Sequence, residues 1–393
     1  MKIVIFTHPS FSESESMPKF ARLIVDGMRS KNHEIMVWKS TPLFYKLSPV
    51  IGLKKWLGYL DQYLIFPALT YINLKKISFD TLIVFSDQAL GPLVSLVKNR
   101  PHVIHVHDFM ALRSSLGEFP QNPTRWSGRI YQAYIKNGFK KGKNFISVSK
   151  KTQLDLHRFI EDKFTSSEVV YNGLNFPYRK MSIEEAAGFL ALAGLELPSC
   201  GILLHVGGNL WYKNRVGVVQ AYKAYSEKVK SPLPLWMIGP EPTSELKSMV
   251  SHEAFRGEIK FLTGLSDSQV CAAYSIAALL IFPSIAEGFG WPVAEAMACG
   301  CLVLTTNERP MTEVGGDAAF YIPPPPVTIS EGWIELVSEK IKEITDLYSE
   351  GRFKSRIERG YIQSAKFKTN NAIDGYESNY LKILRFSNHI NRK

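Results

Sequence analysis

The chain has 393 residues, 45% hydrophobic and 21% charged, a balance that excludes a disordered protein and allows two domains of ordinary size. Its net charge of +11 admits an anionic membrane surface, a phosphorylated substrate or nucleic acid as partner. The basic residues form only short clusters, at Lys54–Lys55, Lys75–Lys76 and Lys140–Lys143, with no nucleic-acid-binding motif around them, so no nucleic-acid partner is expected.

Lys2 to Thr7 is an apolar run of the kind found in central parallel strands, and it is too short for a secretory signal. His8, Pro9 and Ser10 form the loop at its end. A helix fits Pro18 to Lys31, with Phe20, Leu23, Ile24 and Met28 on one face. Strands are expected at Glu34 to Trp38, Thr81 to Phe85, Val103 to Val106, Phe145 to Val148 and Val169 to Tyr171. Helices should run from about Ala89 to Lys98 and after Ser149. Polar residues recur where strands end: Asp87, His107 with Asp108, Ser149, and Asn172 with Gly173. Ligands bind at such ends in parallel sheets. The apolar region Trp56 to Leu74 contains Asp61, Gln62 and Pro67, so no membrane-spanning helix is expected. With lysines at both ends, the segment 54–76 reads either as a helix packed on the first domain or as a membrane-surface element that brings a lipid-linked acceptor to the site.

Residues 177 to 200 interrupt the alternation and read as an interdomain linker and entry to the second domain, with a helical piece near Ile183 to Leu192. A second series follows, with strands at Ile202 to Val206, Leu235 to Ile238, Ile259 to Leu262, Leu279 to Phe282, Leu302 to Thr305 and Ala319 to Ile322. The rest is helical, ending in a helix from about Asn370 to Arg385. Alternating strands and helices predict α/β architecture with doubly wound parallel sheets. The cysteines, Cys200, Cys271, Cys299 and Cys301, lack metal-ligand spacing, which favours reduced thiols and a cytoplasmic location.

Two stretches carry candidate chemistry. In Ile281 to Cys301, Pro283 and Ser284 end a strand and Gly288, Phe289 and Gly290 make a turn. Pro292 suits the first position of a helix that stops at Gly300. Such a helix start can hold an anion by its backbone N–H groups. Two carboxylates, Glu287 and Glu295, bracket the turn and are suited to sugar hydroxyls. The other stretch, Gly207 to Arg215, places Lys213 and Arg215 beside a helix starting near Asn214. Cations there oppose the helix dipole unless an anion binds, so a phosphate or diphosphate site is expected; Gly207 and Gly208 allow close approach. Solvated bases at an ordinary helix start are the plain alternative, as an N-cap is for Asp87, a structural histidine for His107 and a packed side chain for His105.

Glu287-x7-Glu295 with Gly288-Phe289-Gly290 resembles the E-x7-E motif of retaining GT-B glycosyltransferases. The loop Gly207 to Arg215, Asn172–Gly173 and His107–Asp108 are similar to glycosyltransferase family 4. This resemblance implies two Rossmann-like domains, at 1–178 (acceptor side) and 199–368 (donor side), with a cleft between them and a C-terminal helix, 369–393, crossing back to the first. It implies that Glu287 holds donor sugar hydroxyls, that Gly288, Phe289 and Gly290 bind sugar or phosphate through N–H groups, and that Glu295 accepts from the ribose. Lys213 would stabilise the departing diphosphate, Gly264 and Leu265 would border the base, and His107 would touch the sugar or acceptor, with His8, Asp87 and Asp108 on the acceptor side. Many relatives carry an arginine five residues before the lysine, where this chain has Gly208; the first loop also lacks the family's paired glycines. No D-x-D sequence occurs, so no metal and no cofactor is expected, the substrate being a UDP- or GDP-linked sugar. The implied activity is metal-independent transfer of a glycosyl group, with retention, to a glycan or lipid-linked glycan in surface polysaccharide assembly; the cysteines add a cytoplasmic location, and the membrane-surface alternative for 54–76 adds peripheral contact at the inner membrane face. A retaining glycoside phosphorylase, a sugar-nucleotide epimerase and a non-enzymatic sugar-nucleotide or polyanion binder are the rivals.

Overall fold

The computed structural model describes residues 1–9, 16–47, 51–161, 164–198, 200–251 and 256–390; Ser10, placed above in the first loop, lies outside them. The chain divides into two compact units. One comprises Met1–Phe119, Pro123–Asn175 and Thr369–Lys393, the other Pro120–Asn122 and Phe176–Lys368.

The first unit is built on a six-stranded parallel sheet of β1 (Lys2–Phe6), β2 (Glu34–Trp38), β3 (Leu82–Phe85), β4 (His102–Val106), β5 (Asn144–Ser147) and β6 (Ser166–Val169), in the order β2-β1-β3-β4-β5-β6. Its central strands are buried on both faces, so β1 after Lys2 and β3 read as apolar runs, while β4 also carries the buried His102 and His105. Helix Ser16–Ser30 buries Phe20, Ile24 and Met28 against one face of the sheet together with Ile3, Ile5 and Leu82, each such side chain contributing about 1.5–3 kcal/mol. The same cluster takes in Ala372, Ile373, Tyr376, Tyr380 and Ile383 of the last helix, Thr369–Ile390. Lys31 bonds Asp374 and Glu377 of that helix at 2.7 Å each, and His33 bonds Glu377 at 2.7 Å. The final helix is therefore a structural part of the first unit.

The second unit repeats the plan with β7 (Ile202–Val206), β8 (Leu235–Ile238), β9 (Ile259–Leu262), β10 (Ala277–Phe282), β11 (Leu302–Thr306) and β12 (Phe320–Ile322), ordered β12-β11-β10-β7-β8-β9, all parallel. In both sheets the chain first winds outward on one side and then returns to the other. The reversal falls between β1 and β3 in the first unit and between β7 and β10 in the second, and the carboxyl ends at such a reversal are where doubly wound sheets bind ligands.

Three sequence expectations are corrected. The helix expected from Ala89 to Lys98 is a 3-10 run, Gln88–Leu96, because Pro92 inside it has no N–H for an α-helical bond. The strand expected at Val169 to Tyr171 is Ser166–Val169: on this sheet edge the register is set by pairing, Asn144 with Ser166 and Ser147 with Val169, rather than by apolar content. The stretch expected as linker and entry to the second domain belongs to the second unit, so its linker half is corrected and its entry half holds. Met181, Ala186 and Leu190 are buried in the second unit, where Met181 N donates to Ser275 Oγ at 3.1 Å, and helix Ile183–Ala191 packs on helix Asp267–Ile276.

Candidate functional site

The loops after β7 and β10, the two strands flanking the reversal of the second sheet, are joined to each other. The β7 loop makes a short 3-10 turn, Trp211–Lys213, then Asn214 takes a left-handed conformation (φ 52°) and caps helix Arg215–Lys228, its Oδ1 accepting from Gly217 N at 3.2 Å. Asparagine tolerates that conformation and still offers a side-chain oxygen, which explains its use here. Ile285 N donates to Tyr212 O at 2.8 Å, a backbone tie between the loops. Across that tie Lys213 Nζ meets Glu287 Oε1 at 2.6 Å, with both side chains largely buried. Ser284 Oγ donates to the same oxygen at 2.8 Å, and the ammonium stands 4.9 Å from the Phe282 ring centroid. The two residues expected to serve sugar hydroxyls and diphosphate separately are thus partners of one another, 74 positions apart.

Helix Trp291–Ala298 begins with Gly290 at φ 99°, so Trp291 and not Pro292 is its first residue. A Cβ on Gly290 would lie 2.3 Å from Met311 Cε. Both the left-handed backbone and this contact demand glycine, so Gly290→Ala is expected to cost about 1–3 kcal/mol, read as a lower melting temperature of the second unit's transition. Phe289 anchors the turn from within, its ring 5.3 Å from Phe367 and 6.2 Å from Trp291. Glu295, one turn into the helix, accepts from Tyr274 Oη at 3.0 Å. Burial, and then the nearby Glu295 charge, push the Tyr274 hydroxyl well above its ordinary value, so it remains a donor.

Arg215 is buried rather than solvated. Its Nη1 donates to Asn209 Oδ1 and to Pro240 O (3.2 Å), while Nε and Nη2 have no hydrogen-bond partner among the described residues. Burial lowers its pKa. A guanidinium with two buried nitrogens left unsatisfied is costly, and an anionic ligand would relieve that cost. Gly207 N is bonded to Ile238 O at 3.0 Å, and Gly207 O lies where a Cβ on Gly239 would fall. Gly208 has open space around it, whereas Gly264 (φ 69°) and Leu265 follow β9, two strands away from β7. They are not brought to the Lys213–Glu287 pair. His205, Asn209, Tyr274 and Ser284 were not anticipated. His205 is held neutral by burial, its pKa lowered to about 3, and its Nδ1 donates to Ile281 O at 2.9 Å. The polar residue Ser284, three places before Glu287, was the one available signal.

In the first unit the reversal point carries a second pair. His8, after β1, bonds Asp87 Oδ2, after β3, at 2.8 Å, while Asp87 Oδ1 accepts from Ala89 N at 2.7 Å. Asp87 is therefore both an N-cap and an ionic partner. Burial alone would lower the His8 pKa, but the charge and hydrogen bond of Asp87 prevail and raise it. Burial would likewise raise Asp87, yet His8, His107 and the Ala89 N–H hold it below the ordinary carboxylate value. His107 is buried with its pKa lowered by burial, and its Nε2 donates to Ser86 O at 2.9 Å; the neutral ring then keeps Nδ1 as an acceptor. Phe20 stands edge-on to it at 4.3 Å. Asp108 instead turns its carboxylate to Met110 N at 2.9 Å. His105 is packed, its Nε2 2.6 Å from Tyr380 Oη. Beside His8 opens a cleft of about 580 Å³, also lined by Arg22, Arg29 and Lys39.

Residues 200–352 match the family described as glycosyl transferases group 1. The O-antigen chain mannosyltransferase B of Escherichia coli is 32% identical over 131 residues, 33% of this chain and 34% of that protein, so the matched stretch spans about a third of that relative. The O-antigen chain mannosyltransferase RfbU of Salmonella typhimurium is 24% identical over 263 residues, 66% of this chain and 67% of its own. Among solved structures, Anabaena HepE in complex with UDP superposes with a TM-score of 0.67 at 15% identity, covering 96% of this chain and 99% of its own. The fold is that of the GT-B glycosyltransferases.

Proposed function

We propose, from the premise that residues 200–352 form a domain of the glycosyl transferases group 1 family, that the chain is a glycosyltransferase of surface-polysaccharide assembly. It moves a hexosyl group from a nucleotide sugar to a glycan acceptor. The observation that carries this reading is the Lys213–Glu287 pair at the reversal of the second sheet. The names of its mannosyltransferase relatives make mannose the first sugar to test.

In this reading the bond between the anomeric carbon and the diphosphate breaks, and its electron pair leaves with the diphosphate. The Lys213 ammonium and the start of helix Arg215–Lys228 stabilise that charge as it develops, with no metal needed. Glu287 turns from Lys213 towards donor sugar hydroxyls. Glu295, steadied by Tyr274, accepts from the ribose. The acceptor hydroxyl forms the new bond to the anomeric carbon on the face the diphosphate leaves, giving retention, and its proton passes to the departing diphosphate oxygen on that same face. Acceptor recognition is assigned to His8, Asp87 and His107 of the first unit, His107 accepting a hydrogen bond at Nδ1.

A thermal-shift panel of nucleotides and nucleotide sugars, with and without EDTA, tests this. A stabilising uridine or guanosine diphosphate sugar, at a concentration about 100 times its Kd, should contribute about 2.7 kcal/mol to the second unit, undiminished by EDTA and lost in Glu287→Ala. Failure of every nucleotide to stabilise the protein would overturn the reading.

A further inference from the structure

Two segments of the first unit carry almost all of the chain's surplus charge. Residues 43–76 hold five lysines and one acidic residue, and residues 124–143 hold six basic residues and no acid, so together they carry +10 of the chain's +11. The one acid, Asp61, is buried, its carboxylate accepting from Phe44 N at 3.0 Å and Tyr45 N at 2.9 Å. It leaves no negative group of these segments at the surface.

The segments form one face. Tyr63 Oη lies 2.6 Å from Tyr131 Oη, and the Tyr59 ring is 5.6 Å from Tyr131. Helix Trp126–Phe139 is seated against the 3-10 run Gln88–Leu96 so closely that a Cβ on Gly138 would lie 2.3 Å from the Gly91 carbonyl carbon. The face is therefore fixed on the sheet rather than hung from a loop. Outward from the Tyr63–Tyr131 seam, Trp56, Leu60 and Leu64 recur every four residues, as do Trp126, Ile130 and Tyr134, and all six side chains are exposed. The tryptophans are 65% and 75% exposed. Burial raises the Tyr131 hydroxyl, against the hydrogen bond from Tyr63, which lowers it.

A basic face alone would need no tryptophans in water, and large exposed apolar side chains flanking one aromatic seam mark an interaction surface. Nucleic acid would use the charge and the aromatic rings but would leave Leu60, Leu64 and Ile130 in water. A second copy of the face would set like charge against like charge. Among the described residues no helix is long and apolar enough to cross a membrane. Tryptophan and leucine rows rimmed by lysine and arginine fit the boundary between headgroups and acyl chains.

We propose that this face docks on an anionic phospholipid bilayer, with Trp56 and Trp126 in the interface and the surrounding basic side chains against lipid phosphates. The contact requires no donor and no turnover, so it stands or falls separately from the proposed transfer.

The test is co-sedimentation of the full chain with extruded vesicles of phosphatidylcholine alone or mixed equally with phosphatidylglycerol. Binding is expected to the mixed vesicles only and to fade at about 0.5 M salt. Trp56→Ala/Trp126→Ala and, separately, Arg125→Glu/Arg129→Glu should each weaken it by roughly tenfold or more. All four side chains are exposed, so circular dichroism should be unchanged. Absence of binding to the mixed vesicles, or binding indifferent to both variants, would overturn the proposal. So would a wild-type dimer in light scattering that the tryptophan variant makes monomeric, since the occupant would then be a second copy.

Discussion

Lys213→Ala is expected to lower kcat by about 10²–10³-fold, the usual loss when one preorganised charge at a leaving group is removed. The same variant should destabilise the second unit. Glu287 Oε1 is held by Lys213 Nζ and Ser284 Oγ, and the carboxylate is largely buried. Removing one member of a buried pair costs about 3–5 kcal/mol because the other charge is stranded. Removing both strands nothing, so Lys213→Ala/Glu287→Ala should recover much of the stability lost in Lys213→Ala while remaining inactive. Thermal melts and saturating-donor kinetics on the two single variants and the double variant check this. Additive losses in stability would mean that the pair does not act as a unit.

Asp87→Asn is expected to destabilise the first unit in a pH-dependent way. Asparagine retains an oxygen for Ala89 N, so the cap survives and the change isolates the charge. His8 has its pKa raised above 6.5 and Asp87 has its pKa lowered below 3.8. A raised histidine stabilises fully below 6.5 and ceases to do so as pH climbs through its folded value. A lowered carboxylate stabilises fully above 3.8 and ceases to do so as pH falls through its folded value. The pair is therefore complete between 3.8 and 6.5, and it weakens first on the alkaline side. The loss in Asp87→Asn should be about 1.5–3 kcal/mol near pH 6, the worth of a charged hydrogen bond. For a unit of this size that is roughly 3–12 °C, and it should shrink towards pH 9. Calorimetry at both values checks it, and an equal offset at the two pH values would contradict the ionic account.

The strands were legible because a parallel strand buried on both faces is apolar almost throughout, as Leu279 to Phe282 is; the one exception in Ile202 to Val206, His205, is kept neutral by burial. The edge strand Ser166–Val169 has no such requirement, and the apolar pair of its last residue Val169 with Val170 drew the expected start three residues too late. Pro92 was visible in the sequence, but a period of apolar residues does not distinguish α from 3-10 winding across it. At the site, Glu287, Glu295 and Lys213 were found from glycine turns and helix starts, which are local signals. The Lys213–Glu287 partnership, the Tyr274–Glu295 hydrogen bond and the burial of Arg215 were not, because each depends on which strand lies beside which. Strand order leaves no trace in local composition. The order β10-β7-β8-β9 alone brings position 213 to position 287 and leaves Gly264 apart.

The placement of helix Thr369–Ile390 has a consequence for biosynthesis. The face of the first sheet formed by Ile3, Ile5 and Leu82 is completed by Ile373, Tyr376 and Tyr380, the first of these residues to be translated waiting for the last. Residues 176–368 are made in between, on the order of 10–40 s of elongation. Throughout that interval the nascent amino-terminal half exposes an unfinished core to the cell, while the intervening unit has every residue it needs to fold. The emerging chain would thus acquire its structure from the middle outward, and the factors that shield it from aggregation would engage its beginning.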